Sequence, residues 1–291
     1  MAISVRVGAV SVRRLPSACL FLGLLGSVLG CSVTVDANRV QCTRNSDCTA
    51  RGAAFAGSVC AENACTSDPK WACINDVPQP DAGGSYKATM HVRDVLGSLA
   101  LPGVNAQLCR KLDVLCEKPL AKTVSDDKGT FVLPVDGNFD GFVQMTAPEI
   151  APSMYFFNPP VSADQDLPPI SLASPAIAAG IAFQAGGTLL ADRGIMLLTT
   201  TDCHQAPAAN VSYSIGGTRD PATFVFYLFA GVPTTDTSVT DATGYGGLVN
   251  MPQGFSTITA LLAPDQRKVG TISLLVRPGY VTYSQIYAGA M

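Results

Sequence analysis

Two related stretches of sequence decide the fold: VSDDKGTFVLP at residues 124–134 and VTDATGYGGLVNMP at residues 239–252. In each stretch an aspartate is followed three residues later by a glycine, which is the arrangement of a tight turn. An apolar strand then runs to a proline, Pro134 or Pro252, and an aromatic-led strand follows. The recurrence predicts two β-domains that are related by internal duplication.

Short strands are predicted on both sides of these turns. Ala88, Met90 and Val92 alternate with polar residues, which predicts a half-buried strand with His91 on its solvent face. Strands are also predicted at 104–109, 130–135, 142–145, 194–201, 211–215, 223–229, 248–251, 255–262, 271–276 and 280–287. Short strands separated by turns at this spacing are typical of a β-sandwich.

One short helix is predicted between the two domains. Ser174 and Pro175 occupy the preferred N-cap and first helical positions before residues 176–185, and Gly186 follows as a C-terminal signal. Residues 167–191 carry no charge, so a membrane span is the alternative. The prolines, glycines and alanines of this stretch favour a connector packed between domains.

The repeated turn, together with Pro102-Gly103-Val104 before its first copy, resembles the carboxypeptidase regulatory-like, or transthyretin-like, domain. The resemblance covers residues 86–172, and 192–287 with departures: the second copy has Tyr245-Gly246-Gly247 at its strand start and lacks a Pro-Gly-Val. It implies an all-β fold of two Greek-key β-sandwiches. It also implies modules that are generally non-catalytic, although a fold does not define a function.

The N-terminus is typical of an exported, lipid-anchored protein. Three arginines precede an apolar run, 15–29, that is short for a membrane span. Val28-Leu29-Gly30-Cys31 resembles the lipobox at which bacterial lipoproteins are cleaved and acylated on cysteine, here Cys31. Ser32 after it, by resemblance to known sorting, favours the outer membrane, on its periplasmic or surface face. We therefore expect a membrane partner through the lipid.

The expected organisation has six parts. They are a signal peptide at 1–30, a disulfide-rich segment at 31–66, a linker at 67–85, β-sandwich domain 1 at 86–172, a helical connector at 173–191 and β-sandwich domain 2 at 192–291. Trp71, the one tryptophan, is expected to cover the edge of the domain that follows the linker.

Eight cysteines remain once Cys19 and Cys31 are set aside, and an even number in an exported chain predicts disulfides. The candidates are Cys42, Cys48, Cys60, Cys65, Cys73, Cys109, Cys116 and Cys203. About 105 connectivities are open from sequence alone. Residues 42–65 are too poor in large apolar side chains to bury a core, so two disulfides are expected within them. Cys109 with Cys116 would close a hairpin, which leaves Cys73 with Cys203 as a hypothesis.

Composition argues against several functions. Loss of residues 1–30 removes three arginines and no acid, so the formal charge falls from −3 to about −6, which excludes nucleic acid as a partner. The two histidines, His91 and His204, stand in no catalytic motif, and no nucleophile elbow or nucleotide-binding loop is present. We expect no enzyme and no catalytic residue, although a carboxylate-pair glycosidase has no motif that would exclude it.

One segment resembles half of a calcium site. Asp136, Asn138 and Asp140 alternate before Gly141, as in the first half of a calcium loop, but Ala147 stands where a bidentate glutamate is needed. The alternative is a polar hairpin turn that places Phe139 in the core. Calcium is the only cofactor the sequence suggests.

These observations predict a lipid-anchored cell-envelope protein that acts as a non-catalytic binding or scaffold module. Its partner would be an envelope protein or a polysaccharide. The alternative is a surface glycan-binding protein, for which Tyr280, Tyr283 and Tyr287 are the candidate aromatic platform. A hydrolase accessory or enzyme is the less favoured third reading.

Overall fold

A computed structural model describes residues 40–52, 55, 57–61, 63–75, 83–95, 99–263 and 266–289 of the chain. The predicted signal peptide and the predicted lipidation residue, Cys31, lie outside this range. The helices are α1 (Asn45–Thr49), α2 (Pro175–Gln184) and a 3-10 helix (Pro69–Asn75). None of the helices in the described part is long and apolar enough to cross a membrane.

Strands form most of the regular structure, which confirms the all-β prediction. They are β1 (Ser58–Ala61), β2 (Ala64–Ser67), β3 (Ser85–Asp94), β4 (Asn105–Arg110), β5 (Ala121–Val124), β6 (Thr130–Asp136), β7 (Gly141–Thr146), β8 (Ser153–Phe156), β9 (Gln165–Asp166), β10 (Ile170–Leu172), β11 (Gly194–Thr201), β12 (Val211–Ile215), β13 (Phe224–Phe229), β14 (Val232–Thr234), β15 (Tyr245–Met251), β16 (Gly254–Leu262), β17 (Arg267–Val276) and β18 (Val281–Tyr287).

The chain folds as two sandwich-like repeats with the same strand pairing. In the first repeat β3 pairs antiparallel with β6 and parallel with β10, while β7 lies between β4 and β8. In the second repeat β11 pairs antiparallel with β15 and parallel with β18, while β16 lies between β12 and β17. Each strand of the first set therefore has a counterpart in the second.

The repeated turn has the same hydrogen bonds in both copies. Ser125 Oγ accepts from Val104 N at 2.9 Å and donates to Leu101 O at 2.7 Å. Thr240 Oγ1 likewise accepts from Val211 N at 3.1 Å and donates to Ala208 O at 2.7 Å. The duplication predicted from the sequence is thus present in the backbone network.

The glycine of each copy lies where its neighbour strand leaves no room for a side chain. Gly129 has φ 70° and a Cβ would lie 2.2 Å from Val92 O; Gly244 has φ 69° and a Cβ would lie 2.5 Å from Thr200 O. The second copy replaces Pro-Gly-Val by Ala-Asn-Val, in which Asn210 takes the positive φ that Gly103 has in the first. An asparagine tolerates this conformation better than most residues, so the turn survives the departure.

The two repeats are joined through one continuous sheet. β8 of the first repeat pairs parallel with β18 of the second, with Met154 opposite Thr282 and Tyr155 opposite Tyr283. The result is a nine-stranded sheet in the order β14-β13-β15-β11-β18-β8-β7-β4-β5. Its two faces cover different cores: Met154 and Phe156 lie in the core of the second repeat, and Tyr155 and Tyr283 in that of the first.

Helix α2 follows the sequence prediction. Ser174 Oγ accepts from Ile177 N at 3.3 Å as the N-cap, and Pro175 is the first helical residue. Ala178 packs on the core of the first repeat, whereas Ala182 packs with Phe226 of β13. The helix is therefore a packed connector.

The disulfides divide into local pairs and one long-range pair. Cys42–Cys60 and Cys48–Cys65 lie within the N-terminal segment, where two disulfides are predicted. Cys109–Cys116 joins β4 to the loop before β5, within the hairpin that these two antiparallel strands form, as predicted. Cys73–Cys203 joins residues 130 positions apart.

Three sequence interpretations are corrected by the tertiary structure. Residues 137–140 do not close a hairpin, because β6 and β7 belong to different sheets. Pro134 and Pro252 are not equivalent, since Pro134 lies inside β6 whereas Pro252 follows β15. Trp71 does not cover the next domain along the chain; it packs on the core of the second repeat.

Candidate functional site

A cleft of about 650 Å³ opens where the two repeats join. Tyr155 beside β18 and Thr201 at the end of β11 lie at its floor. The segment from 157 to 168, which contains the cis peptide bond Asn158–Pro159, lines one side. The Cys73–Cys203 disulfide lines another.

Strand alternation explains which side chains reach the cleft. Val281 and Tyr283 of β18 lie in the core of the first repeat. Gln285 and Tyr287 follow on the same face because side chains alternate along a strand, and both line the cleft. The cleft is therefore a continuation of the first repeat's core face, with polar residues at its open end.

The charged groups of the cleft are carboxylates. Asp164 accepts from Lys87 N at 2.9 Å, and Asp166 contacts His91 Nε2 at 2.7 Å. Asp202, 5% exposed, accepts at Oδ1 from the backbone N–H groups of residues 204 and 206 at 2.9 and 3.1 Å. No lysine or arginine is among the described residues that line the cleft.

A buried hydroxyl at the floor has no hydrogen-bond partner within the described structure. Thr201 is 4% exposed, and its Oγ1 is unpaired. The register opposes Thr201 to Tyr287 on the parallel neighbour β18, and both side chains line the cleft. A buried hydroxyl without a partner costs free energy. Less than 1 Å² of this atom is accessible, so a group in the cleft can bond it only after the Thr201 side chain rotates.

The tyrosines of the cleft stay neutral. Burial raises the pKa of Tyr155, and the nearby Tyr287 phenol raises it further. Burial also raises the pKa of Tyr287. The Tyr287 hydroxyl contacts Gln285 Oε1. These phenols can therefore offer hydrogen bonds but no charge near neutral pH.

The candidate tyrosine platform does not form as a unit. Tyr283 is buried and donates to Ser171 O at 2.8 Å, so it is a core residue. Tyr280 is half-buried with the Arg277 guanidinium 4.0 Å from its ring centre. Only Tyr287 of the three lines the cleft.

The residues of the candidate calcium loop make contacts of their own. Both Asp140 oxygens accept from Lys111 Nζ, at 3.1 and 2.9 Å, and Asn138 N donates to Val161 O at 2.8 Å. Asp136 and Asn138 line a shallow depression with Asp140. Calcium binding there stays a prediction.

Three cysteine sulfurs, those of Cys42, Cys48 and Cys65, lie within 4.8 Å of one another in the N-terminal segment. All three are in disulfides, so they present no thiolate to a metal. Of the two histidines, His91 bridges Thr130 Oγ1 and Asp166, whereas His204 lies exposed in a loop.

Sequence reasoning missed the residues that make the cleft. Asp164, Asp202 and Thr201 stand in no motif, and the cleft gathers them from both repeats. The one available signal is the hypothesis that pairs Cys73 with Cys203, because that disulfide lies beside them.

No family model matches the chain, and no curated protein matches it. Among solved structures it is similar to the Bacillus anthracis TIE protein, at 12% identity over 70% of this chain and 34% of that one, with a TM-score of 0.26. It is also similar to the shaft pilin SpaA from Lactobacillus rhamnosus GG, at 11% identity over 72% of this chain and 99% of that one, with a TM-score of 0.23. A minor pilin from Streptococcus agalactiae matches at 11% identity over 71% of this chain and 96% of that one, with a TM-score of 0.23. The chain thus spans about a third of the TIE protein.

Proposed function

We propose that the protein is a lipid-anchored, non-catalytic binding or scaffold protein of the bacterial cell envelope. The observation that supports this most is the joint between the repeats, where β8 and β18 pair to make one sheet. A continuous sheet, together with the Cys73–Cys203 disulfide, makes the two repeats a rigid unit that can hold a partner in a set orientation. The transthyretin-like assignment of both repeats, supported by their equivalent turns, fits this role.

Two features support an envelope location. The described residues form four disulfides, which are typical of proteins that fold in an oxidising compartment outside the cytoplasm. The lipobox-like sequence that ends in Cys31 supplies an anchor. Several acyl chains, each contributing about 0.8 kcal/mol per buried methylene, would hold the protein stably in a bilayer.

Fractionation of cells tests the anchor. In the membrane fraction, the Cys31→Ser variant is expected to keep its precursor mass and to take up no labelled fatty acid, because the acylated residue is lost and the apolar run 15–29 is not removed. Cys19→Ser, within the predicted signal peptide, is the matched control and is expected to remain in the membrane fraction. Incorporation of labelled fatty acid by Cys31→Ser at the same level as wild type contradicts the anchor.

Cross-linking of intact cells tests the scaffold role. Capture of the protein from solubilised envelope is expected to bring a reproducible protein partner with it.

A second candidate function, glycan binding, is favoured by the cleft, where amides, carboxylates and Tyr287 surround a polar space. Recovery of polysaccharide without a protein partner would replace the first function by this one.

A further inference from the structure

We propose that the cleft between the repeats binds a protonated primary amine carried on a polar ligand. This inference deepens the proposed binding role, since it names the chemistry that the binding face recognises. The amine could be that of an amino sugar in a glycan or that of a lysine side chain in a protein, because both present the same ammonium group.

Charge is the first argument. Asp164 and Asp202 line the cleft, and no lysine or arginine among its described lining residues offsets them. Asp202 is almost fully buried, and its Oδ1 accepts two backbone N–H groups. A carboxylate held in a partly desolvated cleft favours a cationic ligand over a neutral or anionic one.

The unpaired hydroxyl is the second and independent argument. Thr201 Oγ1 is buried and has no partner in the described structure, whereas the hydroxyl of the preceding Thr200 bonds the Tyr213 hydroxyl at 3.1 Å. Thr201 lies on the same face of β11 as the residues of that strand that enter the core of the first repeat. The register places Thr201 opposite Tyr287 of β18. Once the Thr201 side chain rotates toward the cleft, its hydroxyl can accept a hydrogen bond from an ammonium N–H, which removes the cost of leaving it unpaired.

Size and polarity are the third argument. About 650 Å³ lies within the range of sites for small ligands, about 300–1,000 Å³. Gln205 and Gln285 add amide groups to the lining of the cleft, and Tyr287 adds a neutral phenol. These groups suit the hydroxyls or amides that surround an amine in either ligand class.

Calorimetric titration of the disulfide-intact protein tests the proposal with two pairs of probes. Glucosamine oligomers are compared with N-acetylglucosamine oligomers, and a lysine-containing peptide with its Nε-acetyl-lysine counterpart. Acetylation removes the charge and leaves most of each ligand unchanged. We expect the free amine of at least one pair to bind, acetylation to weaken that binding by about tenfold or more, and salt to weaken it further.

Variants of the cleft locate the site. Asp202→Asn and Asp164→Asn keep an oxygen acceptor but lose the charge, and each is expected to weaken amine binding by about tenfold. Thr201→Val is expected to weaken it while leaving the unfolding free energy unchanged or higher, because an unpaired hydroxyl is removed. Asp127→Asn, in the exposed turn after β5, is the matched control and is expected to bind as wild type does.

The outcomes distinguish a glycan amine from a protein amine, and they distinguish failure of the amine proposal from failure of the envelope function. Binding of the glucosamine pair alone assigns the amine to a glycan, and binding of the lysine pair alone assigns it to a protein. Equal binding of free and acetylated probes, or no binding of any probe, overturns the proposal. Wild-type binding by the Asp202 and Asp164 variants overturns the location. None of these results bears on the membrane fractionation of Cys31→Ser, so the envelope function can fail or stand separately.

Discussion

At the scale of single residues, the two turns depend on one hydroxyl and one glycine each. Ser125 and Thr240 are buried and hold the strand that follows Leu101 or Ala208. Both hydroxyls act as donor and acceptor at once, so no apolar side chain can replace them without leaving backbone groups unpaired. Because these residues recur in both copies, the duplication can be recognised from the sequence.

Replacement of Thr240 by valine tests this role. Thr240→Val preserves shape but leaves Val211 N and Ala208 O without their partner, so the unfolding free energy is expected to fall by about 1–3 kcal/mol. Urea denaturation followed by circular dichroism measures it. Thr218→Val, on an exposed loop, is the control, and an equal effect of both variants would contradict the assigned role.

The turn glycines give a second prediction at this scale. Gly244→Ala would place a methyl 2.5 Å from Thr200 O, whereas Gly217, also at positive φ, has no heavy atom within 4 Å of its Cβ position. Gly217→Ala is expected to cost about 1–2 kcal/mol for the left-handed conformation alone. Gly244→Ala is expected to cost more, as measured by thermal and urea unfolding. Equal costs would show that the close approach to β11 is unimportant.

At the scale of the elements, the repeats differ in one sheet edge. β15 pairs on both sides, with β11 and β13, but its counterpart β6 pairs with β3 alone among the described strands. Val92 N donates to Gly129 O, and in an antiparallel pair only every second residue bonds the neighbouring strand. The residues between them, which include Pro134, direct their backbone N–H and C=O groups away from β3. Pro134 stands at the position of Val249 and has no N–H, which protects this edge from pairing.

Replacement of Pro134 tests whether the proline keeps this edge unpaired. Pro134→Val supplies the missing N–H beside Val132, so concentration-dependent self-association is expected to rise above that of wild type. Sedimentation velocity across a concentration series measures it. Pro252→Val, after β15, is the control, and adding Val132→Lys to Pro134→Val is expected to restore wild-type behaviour. An unchanged sedimentation profile for Pro134→Val would contradict the interpretation.

Prediction of elements succeeded where the pattern is local. Residues 211–215 alternate between apolar and polar side chains, and 194–201 begin with a short apolar run; the structure has β12 and β11 with these bounds. β5 and β9 were missed because four and two residues are too few to display a period. The candidate site was missed because Asp164 and Asp202 come from loops, where no periodicity indicates which residues meet.

At the scale of the whole molecule, the segment before the first repeat packs on the second repeat and is cross-linked to it. The 3-10 helix places Trp71 in the core of the second repeat, and Lys70 O accepts from Cys203 N at 2.9 Å. Cys73–Cys203 then closes a loop that contains the whole first repeat. The two ends of the described chain are thereby held on the same repeat.

The Cys73–Cys203 disulfide is expected to contribute more to the free energy of unfolding than the Cys109–Cys116 disulfide. Replacing Cys73 and Cys203 by alanine removes a cross-link between residues 130 apart, so the unfolding free energy is expected to fall by about 2–5 kcal/mol. The Cys109–Cys116 link spans seven residues and is expected to contribute less. Guanidinium unfolding of the two double variants compares them, and an equal or reversed order would contradict the chain-entropy argument.

The shared sheet predicts that the repeats unfold together. Trp71 fluorescence reports the core of the second repeat, while circular dichroism reports the strands of both. Because β8 and β18 are neighbours in one sheet, the two signals are expected to change with a single coincident transition in guanidinium. Two separated midpoints would mean that the joint does not couple the repeats.

The sequence by itself determined the strand class, the duplicated turns, the connecting helix and the two disulfides within residues 42–65, because each depends on residues close together in the chain. Only the tertiary structure decided that β8 pairs with β18 and that Trp71 packs on the second repeat although the first repeat follows it in the chain. The cleft between the two repeats was likewise decided by the tertiary structure. Strand periodicity specifies which face of a strand is buried but not which strand lies beside it. That choice depends on how two complete sandwiches pack, which no local pattern records.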